Sequence, residues 1–361
     1  MSYREGHSKI APSGMARVMA CPASLQASWG YANDSQQSEA ARLGTLAHAV
    51  AQCTFYDAEL PDDAELPDDA MIEAAQEYVA IVNSIDGFKT CEIQVECKTI
   101  HPDCYGTPDM VVLNHESKLC TVVDFKYGYK LVNVNENWQL LTYATGVRDK
   151  HGLPNDWTYT LAVFQPRNGG YSFINYTSDE ITTYAMHIRD RVALALTERG
   201  AATFEVGGWC LYCPHSGNCQ KLTEAVFKLE DWLNGDSFHA AEPTPQRLSL
   251  ELDLVNAAEN LIEAKKAGLE AQILDQLGKG VGGFAYRLGN GRPSEKWNVS
   301  LDEIKQLGEL MGVELVKEKP ITPKQAVALK IPAEIVSEMS QVTPGKTKLV
   351  RADLENMFAT Q

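Results

Sequence analysis

The sequence predicts an α/β sandwich, a mixed central sheet flanked by helices, followed by a smaller, mainly helical accessory unit. Three observations carry this. Alternating and near-continuous apolar runs recur between residues 91 and 177, as half-buried and fully buried strands do. Helical patterns precede, interrupt and follow these runs. Past residue 234 the composition changes, and GDSFHAAEPTPQ reads as a linker. The expected division is therefore 1–234 for the first domain, 235–247 for the linker and 248–361 for an α+β accessory domain.

In chain order, a Ser-capped short helix is expected from Ser13 to about Ala20, stopped at Cys21-Pro22. A longer helix from about Gln37 to Phe55 carries GTLAHAV, and another spans about Asp69 to Ser84. In CEIQVECKT, Ile93, Val95 and Cys97 alternate with Glu92, Gln94 and Glu96, which predicts one half-buried strand. GTPDMVVLN and KLCTVVDFK predict two more, joined by a turn at Asn114–Ser117. ENWQLLTYATGVRD is helical, WTYTLAVFQP and YSFINYT are strands, and SDEITTYAMHIRDRVALALTE is a helix opened by Ser178. Beyond the linker come a helix of about Ser249–Leu277, a hairpin turning at Asn290-Gly291, and short helices near 301–311 and 323–330. Lys346 and Lys348 lie near the C-terminus, and no catalytic constellation is visible there.

A chain of 361 residues, 44% hydrophobic and 22% charged, is that of an ordinary globular protein. No run approaches the roughly 18 apolar residues that span a bilayer, and MSYREGHSKIAPSG lacks the apolar core of a secretory signal. No membrane partner and a cytoplasmic location are expected. The nine cysteines are then metal ligands or small buried hydrophobes rather than disulfides. The net charge of -16 is concentrated: ten acidic residues and no basic ones lie between Asp57 and Asp86, including the tandem repeat ELPDDA at 59–64 and 65–70. The remainder is only mildly acidic, so charge neither supports nor excludes a DNA partner.

The chemistry concentrates around TVVDFK. Period two puts Asp124 and Lys126 on one face of a strand end, which is also what a plain solvated strand end would show. Asp109 begins the preceding strand, so pairing through the short turn brings two carboxylates together. Their repulsion is commonly relieved by a hard divalent cation. Mg²⁺ or Mn²⁺ there polarises a phosphoryl oxygen, and Lys126 is placed to orient water or stabilise phosphate charge. On the following helix Gln139 and Tyr143 share a face at i and i+4, with groups that hydrogen-bond phosphates or base edges. His48, among small apolar residues, is either a core histidine or a third ligand.

GTLAH with His48, GTPD with Asp109, DFK with Asp124 and Lys126, and QLLTY with Gln139 and Tyr143 together resemble the RecB-like branch of the PD-(D/E)XK nuclease superfamily. The resemblance covers residues 13–225. It implies a restriction-endonuclease-like core, with His48, Asp109 and Asp124 holding the metal. It also implies Lys126 assisting water attack, and Gln139 and Tyr143 positioning the scissile strand. The cysteines extend it: Cys210-x₂-Cys213-x₅-Cys219 with the distant Cys21 resembles AddB nuclease domains and the CRISPR-associated RecB-like exonucleases. Those hold a [4Fe-4S] cluster, while the alternative is a structural Zn²⁺ with His215 as a substitute ligand. Cys53, Cys91, Cys97, Cys104 and Cys120 are expected to be structural. A cluster joining Cys21 to Cys210 would clamp the N-terminal helix onto the domain as one wall of a DNA channel.

The implied activity is a divalent-metal-dependent DNA exonuclease, a phage or prophage recombination enzyme supplying ends to a single-strand annealing protein. Two alternatives stay open: a structure-specific endonuclease using the same residues, and a non-catalytic DNA- or protein-binding module.

Overall fold

The computed structural model describes residues 8–29, 31, 39–61, 65–197, 202–234, 245–290, 294–297, 299, 301–316, 323–328, 331–343 and 347–351. They fall into two compact units, Met1–Leu269 and Glu270–Gln361.

In the first unit a single 3₁₀ turn, Pro12–Gly14, leads into α1 (Met15–Ala20), which ends before Cys21-Pro22 as expected, and then into α2 (Ser24–Ala27). The helix carrying GTLAHAV is α3 (Glu39–Tyr56); Gln37 lies outside the described residues. Asp68 caps α4 (Asp69–Ser84) by accepting from the Met71 N–H at 2.8 Å. Next come β1 (Phe88–Cys91), β2 (Val95–Glu96), β3 (Tyr105–Gly106), β4 (Met110–Asn114), β5 (Leu119–Phe125), α5 (Trp138–His151), β6 (Thr158–Gln165), β7 (Gly170–Thr177), α6 (Ser178–Ala195), α7 (Gln220–Asn234) and α8 (Pro245–Gly278). The cap of α6 is Thr177, one residue earlier than expected. Its hydroxyl accepts from Glu180 N–H while the Glu180 carboxylate takes the Thr177 N–H, a reciprocal capping box.

The central sheet has the order β1-β4-β5-β6-β7, with β5 and β6 parallel and the other pairs antiparallel. It is a mixed sheet flanked by helices, as predicted. Alternation along the strands divides the core. Met110, Val112, Val123, Phe125 and Phe164 pack against Ala47 and Val50 of α3 and Tyr78 of α4. Val111, Val122, Leu161 and Val163 face the other way, toward Leu140 and Ala144 of α5, Ile188 of α6 and Val18 of α1. Gly146 lets α5 lie tightly on β2, since a Cβ there would come within 2.8 Å of both Val95 and Cys97. Cys97, Cys104 and Cys120 are wholly buried and Cys91 nearly so, in keeping with structural thiols.

CEIQVECKT is not one strand. β1 ends at Cys91, Glu92 takes a positive φ of 52°, and β2 pairs with β3 in a separate two-stranded ribbon. A left-handed residue cannot continue a ladder, so the period-two expectation fails at Glu92. At the other turn, Asn114 accepts from the Glu116 and Ser117 N–H groups, both at 3.0 Å, as the Asn-initiated turn predicted.

Of the expected linker, residues 235–244 lie outside the described residues, and 245–247 open α8 rather than a loop. That helix runs through the division between the units at Leu269.

The second unit contains β8 (Tyr286–Asn290), β9 (Ser294–Trp297), α9 (Leu301–Met311), α10 (Pro323–Ala328), α11 (Ala333–Glu338), β10 (Ser340–Thr343) and β11 (Thr347–Arg351). The expected hairpin at Asn290-Gly291 does not form. β8 pairs with β11 and β9 with β10, in a single shared register. Asn290 is the last residue of β8, paired with Thr347, so β8 and β9 are not hairpin partners; Gly291 lies outside the described residues. Ile304, Leu307, Leu315, Ile331 and Val336 form this unit's core. Lys346 lies outside the described residues, and Lys348 lies in β11.

Candidate functional site

Asp109 immediately precedes β4, and Met110 pairs with Val123, the residue before Asp124. The N-terminal end of β4 and the C-terminal end of β5 therefore meet at one end of the sheet. On one face α3 brings His48, whose ring lies 5.7 Å from Phe125 in an edge contact. On the opposite face α5 brings Gln139 and Tyr143. Gly106 is required in GTPD because a Cβ there would meet the ring of Pro12 at 2.8 Å and Tyr143 at 3.1 Å.

The side chains form two linked knots. His48 Nδ1 stands 3.2 Å from Asp109 Oδ1, and Asp109 Oδ2 accepts the Phe125 N–H at 2.6 Å. Asp124 Oδ1 accepts from Lys126 Nζ and from Gln139 Nε2, both at 3.1 Å, while Lys126 Nζ also donates to Gln139 Oε1 at 3.3 Å. Asp124 Oδ2 lies 2.9 Å from the ammonium but accepts no aligned hydrogen bond, although it is buried. Tyr143 is buried and hydrogen-bonded to Gln139. Gln139 thus braces Asp124 and Lys126, with Tyr143 behind it.

The electrostatics follow from burial set against pairing. Burial disfavours the His48 imidazolium, but Asp109 outweighs it and the pKa rises. Burial would raise Asp109, and His48 reverses that to a net lowering. Burial dominates at Asp124, which is raised despite Lys126. Lys126 is opposed by burial, yet Asp124 raises its pKa, so it stays a cation. Glu92 is raised to about 7, first by burial and then by Asp109.

Glu92 is the member that sequence reasoning missed. Its N–H donates to the Asp109 carbonyl at 3.1 Å, and His48, Glu92 and Asp109 offer ligand atoms all within 4.8 Å of one another. These three can hold a metal ion. Asp124 stands beside them: it interacts electrostatically with Asp109 and His48 but is not part of that tightest set. Cys91 pairs with Met110 across the sheet, which puts Glu92 next to Asp109. That signal exists only once the strand pairing is known.

A second constellation lies in the same unit. Gly208–Tyr212 is a 3₁₀ turn, and Cys213 N–H donates to Cys210 O at 3.1 Å. The Cys210 thiol is pushed up by burial and by Cys213, Cys219 and Cys21. Cys213 is likewise raised by burial, Cys21 and Cys219, with Arg17 opposing. Cys21, Cys213 and Cys219 thus lie within electrostatic reach of Cys210, and Cys21 accepts the Glu205 N–H at 3.4 Å. His215 turns its Nδ1 to the Tyr31 hydroxyl at 3.0 Å. Behind this loop, Lys265 of α8 donates to Gly217 O, and Gly268 leaves room where a Cβ would sit 2.4 Å from Ser216 Oγ.

No helix among the described residues is long and apolar enough to cross a membrane. No curated protein matches the chain. A solved structure titled "Crystal structure of SSO0001" is similar at 14% identity over 61% of this chain and 89% of that one, with a TM-score of 0.30, too remote to carry an argument. The profile of the family described as "Protein of unknown function (DUF2800)" matches residues 7–354, nearly the whole length, and the chain belongs to that family.

Proposed function

We propose that the chain is a divalent-metal-dependent deoxyribonuclease with a PD-(D/E)XK-type core, acting on DNA ends as an exonuclease. One observation carries this reading: three carboxylates, Glu92, Asp109 and Asp124, crowd one end of the sheet with a single histidine and a single lysine. Such crowding is unfavourable in isolation: Glu92 and Asp124 are raised first by burial and further by Asp109. The donor set, all oxygen plus one imidazole, fits Mg²⁺ or Mn²⁺. His48, Glu92 and Asp109 would hold the ion, with Asp124 beside them. When bound, the ion supplies Lewis acidity toward a phosphodiester oxygen. Lys126, kept cationic by Asp124, opposes negative charge developing on the phosphate, and Gln139 fixes where that cation stands.

The four thiols fit an iron–sulfur cluster. Four thiolates are the donor set of a [4Fe-4S] group, and Cys21, Cys210, Cys213 and Cys219 would hold it. The family resemblance of the C-x₂-C-x₅-C run with a distant N-terminal cysteine favours it over a structural Zn²⁺. It would supply a cross-link, joining α1 to the turn before α7. DNA is the substrate partner. A phage setting and a single-strand annealing partner rest on the family resemblance alone.

The test is cleavage of end-labelled linear DNA and of circular DNA with Mg²⁺ or Mn²⁺, comparing wild type with Asp124→Ala and Lys126→Ala. The expected outcome is digestion of linear DNA only, with each variant slowed by about 10²–10³-fold. Cutting of circles would move the assignment to an endonuclease. No cleavage by wild type would leave a binding module.

A further inference from the structure

Immediately after Lys126 the chain forms an exposed loop whose backbone is held with unusual care. Gln165, the last residue of β6, is buried and spends its whole amide on that loop. Its Nε2 donates to Gly128 O at 2.9 Å and to Lys130 O at 2.7 Å, and its Oε1 accepts the Val132 N–H at 3.1 Å. Asn168 adds a fourth tie, donating to Tyr129 O at 2.9 Å. A loop fixed in this way should hide its apolar side chains if stability were its only role. Instead Tyr129 is 72% exposed and Leu131 64%.

Cations interleave with the rings. The Arg167 guanidinium carbon lies 3.7 Å from the centroid of Tyr127 and 4.8 Å from that of Tyr129. Lys130 Nζ lies 5.0 Å over Tyr212, itself 62% exposed, in the turn between Cys210 and Cys213. Arg17 of α1 donates to Tyr212 O at 2.8 Å, fixing that turn from the other side. Among the described residues, neither Arg167 nor Lys130 forms an ion pair with a carboxylate, in a chain of net charge -16. Positive groups left beside open aromatic faces complement a ligand that offers both anionic charge and flat π-surfaces.

We propose that Tyr129, Lys130, Arg167 and Tyr212 form a stacking platform for an unpaired nucleic-acid strand, running from Lys126 to the cysteine loop. This rests on the nuclease reading of the acidic site and names its substrate as single-stranded. Unstacked bases offer faces to the tyrosines whatever their sequence, while the cations follow the phosphates. A duplex hides its base faces and would use only the cations. The platform also gives the cysteine constellation a purpose: whatever holds Cys210 and Cys213 in place also fixes Tyr212 between them.

The experiment is fluorescence anisotropy with a labelled oligothymidylate and a blunt duplex of equal length, in EDTA so that nothing is cut. Wild type should bind the single strand. Tyr129→Ala and Tyr212→Ala should each weaken that binding about tenfold, the scale of one lost base–aromatic stack. Tyr129→Phe should restore it, and duplex binding should stay unchanged in all three. Lys130→Ala should lower the salt slope by about one. Both rings are exposed, so melting curves of the variants should overlay wild type. Equal binding by wild type and both alanine variants overturns the platform, as does a matching loss on duplex, or no single-strand binding by wild type. The two readings fail separately. Cleavage with unchanged binding in the variants sinks the platform and keeps the nuclease, whereas platform-dependent binding without any cleavage does the reverse.

Discussion

The acidic site and the cysteine constellation belong to one compact unit but are built in opposite ways. The acidic site stands on adjacent strand ends, and nearly every side chain in it has a partner: His48 with Asp109, Asp109 with the Phe125 N–H, Asp124 with Lys126 and Gln139. Its geometry is held by β4, β5, α3 and α5 through two buried cores. The thiols hang on a 3₁₀ turn and a loop, backed by a small satellite core of Cys210, Leu222 and Ala264. One site is organised before anything binds. The other has fewer contacts of its own, and a group held by its thiols, as proposed, would link binding to stability there.

The sharpest way to break this contrast is Cys21→Ala. Losing the cross-link frees a closed loop of roughly 190 residues, worth about 5 kcal/mol in a chain-entropy estimate. Iron content and thermal stability should fall together, read by visible absorption and thermal unfolding of anaerobically purified protein. The loss should stay below that ceiling, because α1 and α2 have other anchors. Arg191 donates to Met19 O at 2.7 Å, and Gln26 donates to Ala195 O and Thr197 O, both at 2.8 Å. A variant that keeps both iron and stability would end the clamp. On the acidic side, by contrast, Asp124→Asn should slow cleavage by about 10²–10³-fold with little change in melting temperature, because the amide keeps an acceptor for Lys126 and Gln139 while burial already disfavours the carboxylate.

An intermediate effect separates the two sites by pH. Glu92 titrates near 7 in the folded protein against 4.5 ordinarily, so the native state holds this proton more tightly than the unfolded chain. Metal-free stability from this group is therefore greatest at low pH and declines as pH rises from 4.5 through about 7. Metal must displace the same proton, and the raised His48 must lose its own as well. Mn²⁺ affinity by calorimetry should weaken about tenfold from pH 8 to pH 6 on account of Glu92 alone. Glu92→Gln should flatten that part of the profile. An affinity independent of pH would remove Glu92 and His48 from the ligand set.

Much of this was legible in the sequence for identifiable reasons. Period-two runs gave β4 to β7, and i, i+4 spacing put Gln139 beside Tyr143, because these signals are local. The cysteine set rests on a spacing pattern together with a resemblance, and Cys21, Cys213 and Cys219 lie within electrostatic reach of Cys210. What escaped was set by non-local pairing. Glu92 looked like the solvent half of an alternating strand until its left-handed φ broke the ladder. Asn290-Gly291 carried a strong local turn signal, and the partnership of β8 with β11 overrode it. That Gln139 holds Asp124 and Lys126 was likewise invisible, since its partners come from another element.

The smallest effect is expected from the acidic repeat. Among its described residues, Leu66 is 85% exposed, Glu65 pairs with Arg42 of α3, and Asp68 caps α4. These contacts anchor the segment at its end, as in a solvated acidic loop. Asp68 belongs to the fold as well as to the repeat: losing its cap costs about 1 kcal/mol, and it is a partner of the Tyr127 hydroxyl, 3.4 Å distant. The cleaner variant is Asp62→Asn with Asp63→Asn, which leaves the cap and the Arg42 pair intact. If the segment only carries charge, the salt slope of DNA binding stays the same and affinity rises by less than about twofold, as screening of exposed charges requires. A tenfold gain would instead mean that these carboxylates compete with phosphate for the cations near Tyr127 and Tyr129.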